Sequence, residues 1–339
     1  MDFIKDKVVM ITGGTGSFGK SMAKKLYSMQ AGPSKIIVFS RDEYKQSVMR
    51  GEIGEAQGPY TMRYFVGDVR DKNRLMRAMS GVDVVLHAAA MKQVDTCEYN
   101  PTEACYTNII GTQNVIECAI NNKVKKVLFI STDKAVAPIN LYGKTKAVAE
   151  SLMVSSNVYT KKGTALSVVR YGNVLGSRGS VLEKFREQVE GSGIILITDK
   201  RMTRFWWTMG EALNFVIRAL TEMMGGEVFV PKLKSSFVRE LAIVVCPQCR
   251  IREVGARSGE KLHEILMTNH EAVRAYDLGW GYCINPDNNF FEMHRHQGQR
   301  VSDDFDYSSS GDALVLSEPA ALEWLTEMIN KVDGGVIWI

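Results

Sequence analysis

Val8-Val9-Met10-Ile11-Thr12-Gly13-Gly14-Thr15-Gly16-Ser17-Phe18-Gly19-Lys20 runs from a strand through a glycine-rich turn into a helix. Glycines at 13, 16 and 19 let the backbone turn tightly and approach a pyrophosphate, which then meets the unpaired N–H groups and positive dipole end of the helix. Gly13, Thr15, Gly16, Ser17, Phe18 and Gly19 are therefore expected to cradle a dinucleotide. Such a turn alone is a weak signal, and a plain tight turn is the alternative. The strand before it and the helix after it select the binding reading.

Outward from this turn the same rhythm continues. Apolar runs of strand length recur at Ile36 to Phe39, Met62 to Val66, Val84 to His87, Lys126 to Ser131 and Leu166 to Tyr171. Amphipathic stretches stand between them, among them Ser17 to Met29, Glu103 to Asn121 and Tyr142 to Ser156. Strands buried on both faces read as continuous apolar runs, and strand–helix alternation implies right-handed crossovers. The expected fold is α/β, a doubly wound parallel Rossmann sheet over residues 1–174. Residues 175–290 are expected to form a smaller mixed α/β substrate lobe, with part of 205–225 packing back on the first domain. A short strand at Ile194 to Ile197 and a helix opened by a capping box of Thr208 and Glu211 belong to it. Residues 291–339 form a C-terminal segment. The stretch from 284 to 312 reads as polar and irregular, a last helix starts near Ser317, and the apolar end 335–339 has no account.

The chain has 339 residues, with 42 Lys+Arg against 38 Asp+Glu and both signs mixed throughout, which speaks against nucleic acid as a main partner. No apolar run approaches the ~20 residues that span a bilayer, so no membrane segment is expected. The charged N-terminus lacks the apolar core of a signal peptide, and a cytoplasmic location is expected. Six scattered cysteines agree with a reducing compartment. Cys246-Pro-Gln-Cys249 resembles half a zinc ribbon, with His294 and His296 as its other half, but the spacing is unlike close-set zinc modules and no metal is expected. His87 reads as a satisfied core histidine, and Phe205-Trp206-Trp207 as core between lobes.

The second strand ends in Ser40-Arg41-Asp42-Glu43 rather than in an acidic residue that would grip a ribose 2′-hydroxyl. A small Ser40 followed by Arg41, with Lys45 in support, suits a 2′-phosphate, so NADP is favoured over NAD. The alternative makes Arg41 a solvated residue pairing with Asp42 or Glu43. Asp68 with Val69 after strand three is placed for the adenine, and Ala88 with Ala89 lets the backbone pass close to the cofactor. Tyr142 and Lys146, four apart on one helix face, point to a phenol acting as base, its pKa lowered by the ammonium that also binds the nicotinamide ribose. The alternative is an exposed helix pair; its place after strand five, which ends at Ser131, gives the motif weight.

These motifs resemble the extended short-chain dehydrogenase/reductase superfamily. More narrowly, the chain is similar to the UDP-N-acetylglucosamine 4,6-dehydratase (5-inverting) family of the pseudaminic acid pathway. The resemblance rests on Ile11 to Lys20, Ser40 to Glu43, Ala89 to Val94, Ser131 to Ala135, Arg170 to Val174, Met202 to Phe205 and Arg257 to Glu264. It departs from the family where Ala137-Pro138 replaces Asn-Pro, and where Asp95 and Ser258 each replace Pro.

The resemblance implies oxidation of UDP-N-acetylglucosamine at carbon 4, elimination of water and reduction at carbon 6. Tyr142 would take the 4-hydroxyl proton, Lys134 the carbon 5 proton, and Asp133 would protonate the departing 6-hydroxyl. Lys134 must then lose much of its reference pKa of ~10.4, which burial and the Lys146 cation would supply. Lys92, Asn173 and Arg178 are expected at the sugar and phosphate, and the resemblance adds Thr198, Met202, Arg257 and Glu260 for uridine and diphosphate. Arg204 is either a diphosphate ligand or structural. The family forms homo-oligomers, hexamers in some members. A retaining dehydratase or a 4-epimerase on the same fold is the competing enzyme reading, and an NADP-sensing regulatory module the non-enzyme one. Asp133-Lys134 argues against the first two, and retention of Tyr142, Lys146 and Lys134 against the third.

Overall fold

The structure is a computed structural model that describes residues 3–53, 61–160, 163–286, 296, 298–311 and 315–333. Its centre is a ten-stranded sheet. The strands β1 (Val8–Thr12), β2 (Lys35–Ser40), β3 (Thr61–Val66), β4 (Val84–His87), β5 (Lys126–Ile130) and β6 (Ala165–Val169) lie in the order β3-β2-β1-β4-β5-β6, all parallel. This is the doubly wound Rossmann order, whose direction reverses between β1 and β4. Ligands of such sheets bind beyond the carboxyl ends of the strands at that reversal. β1, β2, β4 and β5 are buried along nearly their whole length, as continuous apolar runs require.

The expected division at residue 174 does not follow the sheet. Val228–Pro231 adds to β6 as a further parallel strand, and Gly281–Ile284, Ala275–Asp277 and Gln299–Arg300 complete the sheet antiparallel. A strand-length apolar run reveals that a segment pairs, but not with which edge. Outside the sheet, a second cluster packs helices Val181–Ser192, Val238–Val245 and Glu318–Val332 around Leu182, Phe185, Leu241 and Leu325. Strand Thr203–Trp207 joins the two cores: Phe205 and Trp207 face the main one and Trp206 the second, because neighbouring strand residues point to opposite faces. Helix Met209–Glu222 opens with the capping box of Thr208 and Glu211.

Three further differences from expectation have local causes. The stretch Glu103 to Asn121 is not one α-helix: Pro101–Cys105 and Gly111–Asn121 are joined by a π-helical turn, Tyr106–Ile110. That turn aims Asn108 inward, where its amide donates to Met91 O and Thr145 Oγ1. Residues 284–312, expected to be irregular, contain Tyr307–Ser308, which pairs with Ile265–Met267 and buries Tyr307 against Phe205 and Tyr282. Single aromatics anchor this segment without any periodicity. Cys246 and Cys249, expected as thiols, are joined in a disulfide, since the turn after helix Val238–Val245 brings their Cα atoms within 5.3 Å. Residues 335–339 and His294 lie outside the described residues.

Candidate active site

The carboxyl ends of the strands open into a cleft of about 620 Å³. All the residues assigned above to the dinucleotide, from Gly13 to Lys146, line it, as do Asp133, Lys134, Asn173 and Arg178. At its β1 end, Gly13 takes φ +67°, and a Cβ there would lie 2.8 Å from the Ala89 nitrogen, so this turn admits no side chain without moving the backbone. Helix Ser17–Tyr27 begins at once after it and has no side-chain cap, leaving its first N–H groups for an anion.

Beyond β2, Arg41 is 59% exposed on its side chain and sits 3.8 Å from Asp68 rather than pairing with Asp42 or Glu43. Lys45 is committed to Asp42 at 2.6 Å. Burial works against the Asp68 charge, but hydrogen bonds from Arg70 outweigh it and hold the carboxyl below its usual range.

The β5 end is built differently. The turn Asp133–Ala135 follows Ser131, and helix Leu141–Ser155 presses on it so closely that a Cβ on Gly143 would lie 2.1 Å from the Lys134 carbonyl oxygen. Only glycine permits this contact, and the contact brings Tyr142 beside the turn. Asn140 caps the helix by accepting from the Gly143 N–H, and its own amide donates to the Gly259 carbonyl, tying the helix to the loop that carries Glu260 and Glu264.

Lys134 Nζ lies 3.2 Å from Asp133 Oδ1 and 3.0 Å from Glu264 Oε1. Burial disfavours its charge, yet the two carboxylates win and raise its pKa. This corrects the expectation of a depressed lysine: in the protein alone Lys134 is an ammonium. Asp133 is raised by burial, against the pull of Lys134. Burial would raise Glu264 too, but Lys134 and Arg204 hold it low.

Burial also pushes the Tyr142 phenol up to about 12, and the groups that oppose the rise are Lys134 and a hydrogen bond with Thr132. Lys146 is not among them. Its ammonium donates to the Ile130 carbonyl at 2.7 Å and lies over the Phe129 ring, and burial brings its pKa down to about 7. The expected acidification of Tyr142 by Lys146 is therefore replaced by Lys134.

The other expected substrate residues are more scattered. Lys92 donates to the Arg178 carbonyl at 2.8 Å, and Asn173 Oδ1 is buried with no partner among the described residues. Thr198, Met202, Arg204, Arg257 and Glu260 do not line the cleft. Thr198 bonds the Met202 sulfur, and Arg204 donates to the Thr203 and Leu262 carbonyls with its Nε 3.7 Å from Glu264, a structural arrangement. Arg257 is exposed and faces Asp95 at 3.6 Å, so one departure from the family pattern occupies this arginine. Ala137, another departure, takes φ +42°, a left-handed conformation that is strained for alanine and less so for asparagine.

Sequence reading missed Glu264 and Thr132. Glu264 stands 130 residues from Lys134, and nothing local marks it as the partner. Thr132 was legible only as the neighbour of Asp133, to which its hydroxyl donates at 2.9 Å. His87 is buried between Thr12 and Thr112, and burial lowers its pKa to about 3, a satisfied core histidine. Among the described residues no cluster of His, Cys, Asp or Glu is arranged to hold a metal.

Comparison with known proteins gives a consistent picture. The chain matches the polysaccharide biosynthesis protein family over residues 9–286. It is 44% identical over 338 residues to the UDP-N-acetylglucosamine 4,6-dehydratase (inverting) of Campylobacter jejuni subsp. jejuni serotype O:2, covering 97% of this chain and 98% of that protein. It is 42% identical over 289 residues to the UDP-glucose 4-epimerase of Rickettsia felis, covering 83% of this chain and 84% of that protein. Among solved structures, Pen from Bacillus thuringiensis superposes with a TM-score of 0.87 at 37% identity, over 96% of this chain and 99% of that one.

Proposed function

The chain belongs to the polysaccharide biosynthesis protein family, and from that premise we propose that it is an NADP-dependent UDP-N-acetylglucosamine 4,6-dehydratase that inverts carbon 5. Its product is UDP-2-acetamido-2,6-dideoxy-β-L-arabino-hex-4-ulose, which the resemblance assigns to pseudaminic acid synthesis. The observation that carries the proposal is the ion pair of the buried Asp133 with the half-buried Lys134 beside Tyr142. Hydride transfer alone uses one acid–base group, whereas loss of water from neighbouring carbons uses a second acid and a second base.

The cleft fits the dinucleotide on two observations: a turn at Gly13 that any side chain would fill, and a buried Ser131 hydroxyl with no partner among the described residues. The glycine turn would hold the pyrophosphate, Arg41 the 2′-phosphate, and Tyr142 with Lys146 the nicotinamide ribose. What NADP supplies when bound is a reversible hydride acceptor, for hydrogen leaving carbon 4 and returning at carbon 6.

The protein's residues handle the protons. Tyr142 Oη receives the 4-hydroxyl proton while passing its own along the bond to Thr132, whose hydroxyl donates to Asp133 Oδ1. Relaying in this way spares the phenol from ionising, which its burial opposes. Asp133 becomes the carboxylic acid that burial favours, and protonates the departing 6-hydroxyl. Lys134 Nζ takes the carbon 5 proton, which the 4-ketone has made acidic. Lys92, Asn173 and Arg178 would orient the sugar and its phosphate.

Incubation with UDP-N-acetylglucosamine tests the reading by NMR. A 4-keto-6-deoxy product of L-arabino configuration is expected, with solvent deuterium at carbon 5 in D₂O and a carbon 4 label recovered at carbon 6. A D-xylo product refutes inversion and leaves dehydration standing. Relatives named UDP-glucose 4-epimerase favour a second reading, which an epimer retaining its 6-hydroxyl would establish. The described residues include no helix long and apolar enough to cross a membrane. The proposed working form is a cytoplasmic homo-oligomer, in keeping with the family resemblance.

A further inference from the structure

Counting protons through the proposed cycle leaves one without a holder. At rest Lys134 carries a proton between two carboxylates, Asp133 and Glu264. Oxidation at carbon 4 delivers another to Asp133 through Tyr142 and Thr132. Elimination then requires Asp133 protonated and Lys134 neutral at the same moment, so the ammonium proton must move to a third group. Glu264 Oε1 lies 3.0 Å from Lys134 Nζ, its side chain is buried, and its Oε2 has no hydrogen-bond partner among the described residues.

We propose that Glu264 is a positioning residue for the elimination, one that takes the Lys134 proton once Asp133 is protonated and returns it after carbon 5 is reprotonated. The Nζ–H bond breaks as an Oε–H bond forms on Glu264. Next the carbon 5–hydrogen bond breaks as a new Nζ–H bond forms, and the carbon 6–oxygen bond breaks as its oxygen takes the Asp133 proton and leaves as water. Asp133 is then a carboxylate, Lys134 an ammonium and Glu264 a carboxylic acid. When hydrogen has returned at carbon 6 and one proton has gone from the cluster to carbon 5, on the face opposite the one Lys134 deprotonated as inversion requires, the resting ion pairs are restored.

The surroundings fit a group that is charged at rest and protonated only in passing. Lys134 and Asp133 face Glu264 from the β5 turn, Arg204 Nε faces it at 3.7 Å from strand Thr203–Trp207, and Lys261 faces it from its own loop. The cations favour the carboxylate, while burial and the nearby Asp133 charge oppose it. Its backbone is held still from the C-terminal segment: the Glu264 N–H donates to Ser309 Oγ at 2.9 Å, the Ser309 N–H donates to the Glu264 carbonyl at 2.8 Å, and Ser309 shares a 2.7 Å hydrogen bond with Thr203. A segment with no legible task in sequence thus fixes the reach of a carboxylate to the chemical site.

The inference rests on the dehydratase reading, so wild-type turnover of UDP-N-acetylglucosamine is measured beside the variants. A wild type that makes no 4-keto-6-deoxy product removes both. Glu264→Gln keeps the size of the side chain but takes no proton. With the NADP-loaded protein it is expected to lower kcat on the order of a hundredfold with KM little changed, while the absorbance of reduced nicotinamide builds up in a single turnover because carbon 4 oxidation continues. Glu264→Asp, which keeps the carboxyl, is expected to recover part of kcat and to shorten the life of the reduced cofactor. If Gln leaves kcat within about threefold, or lowers it with no build-up of reduced cofactor, or if Asp restores no more than Gln, the inference falls and the dehydratase reading stands.

Discussion

At the β1 end of the cleft a ligand meets backbone N–H groups and an arginine whose side chain is 59% exposed. At the β5 end it meets Asp133, Lys134 and Lys146, with Glu264 behind Lys134, and of these Asp133, Lys146 and Glu264 are no more than 2% exposed. Water screens the first set of charges, so each acts nearly alone and its loss is felt as affinity. The second set is dry, so each charge sets the protonation of the next, and a single change is felt as chemistry. One cleft therefore has an end that recognises and an end that reacts, and the amount of water at each separates them.

Substitutions should follow this division. The largest effect is expected at the dry end: Lys134→Ala should retain NADP and nucleotide-sugar binding but lose on the order of a thousandfold or more in turnover, equivalent to ~4 kcal/mol of barrier. Single-turnover assays with binding titrations check it, and a variant that keeps a tenth of its turnover takes Lys134 out of the mechanism. Gly13→Ala comes next, because it adds both a positive-φ strain of roughly 1–2 kcal/mol and a clash with Ala89. Calorimetry should show dinucleotide affinity lowered by more than tenfold; unchanged affinity would show that the cradle moves freely.

Arg41→Ala, at the wet end, removes a charge-assisted contact of about 1.5–3 kcal/mol, which exposure reduces toward its lower limit, or about tenfold in NADP affinity. NAD affinity should not change. Equal NADP binding by wild type and variant would cancel the cofactor assignment and, with it, the claim that this end recognises. Smallest is Ala137→Asn, which relieves a left-handed alanine and should raise stability by roughly 0.5–1 kcal/mol, read as a higher melting temperature with turnover unaltered. A lower melting temperature would mean that φ +42° is not a source of strain.

The recognising end was legible because its parts are neighbours in the chain: Gly13 to Gly19 lie on one turn, and Arg41 follows β2 directly. At the reacting end only identities were legible. Asp133, Lys134, Tyr142 and Lys146 stand out by spacing, but their charge states depend on residues that arrive through the fold. Lys134 reads as a depressed base until Glu264 appears beside it, and Lys146 reads as the partner of Tyr142 until β5 offers it the Ile130 carbonyl. The same limit applies to architecture. Val228–Pro231 has the composition of a strand, but its place beside β6 depends on an edge that local pattern does not describe.

The π-helical turn at Tyr106–Ile110 carries a different kind of constraint, one of aim. An α-helix advances about 100° per residue, and a π-turn fits one residue more into its hydrogen-bonded loop. The extra residue is taken up within the turn itself, so the helix from Gly111 to Asn121 keeps its phase, with Val115, Ile116, Cys118 and Ala119 in the core. Removing one residue from Tyr106–Ile110 would let it wind as ordinary α-helix and leave that face on the sheet, but it would take away the wider turn that aims Asn108 at Met91 and Thr145. At this turn the identity of Asn108, which bonds Met91 and Thr145, should matter more than the count of residues around it.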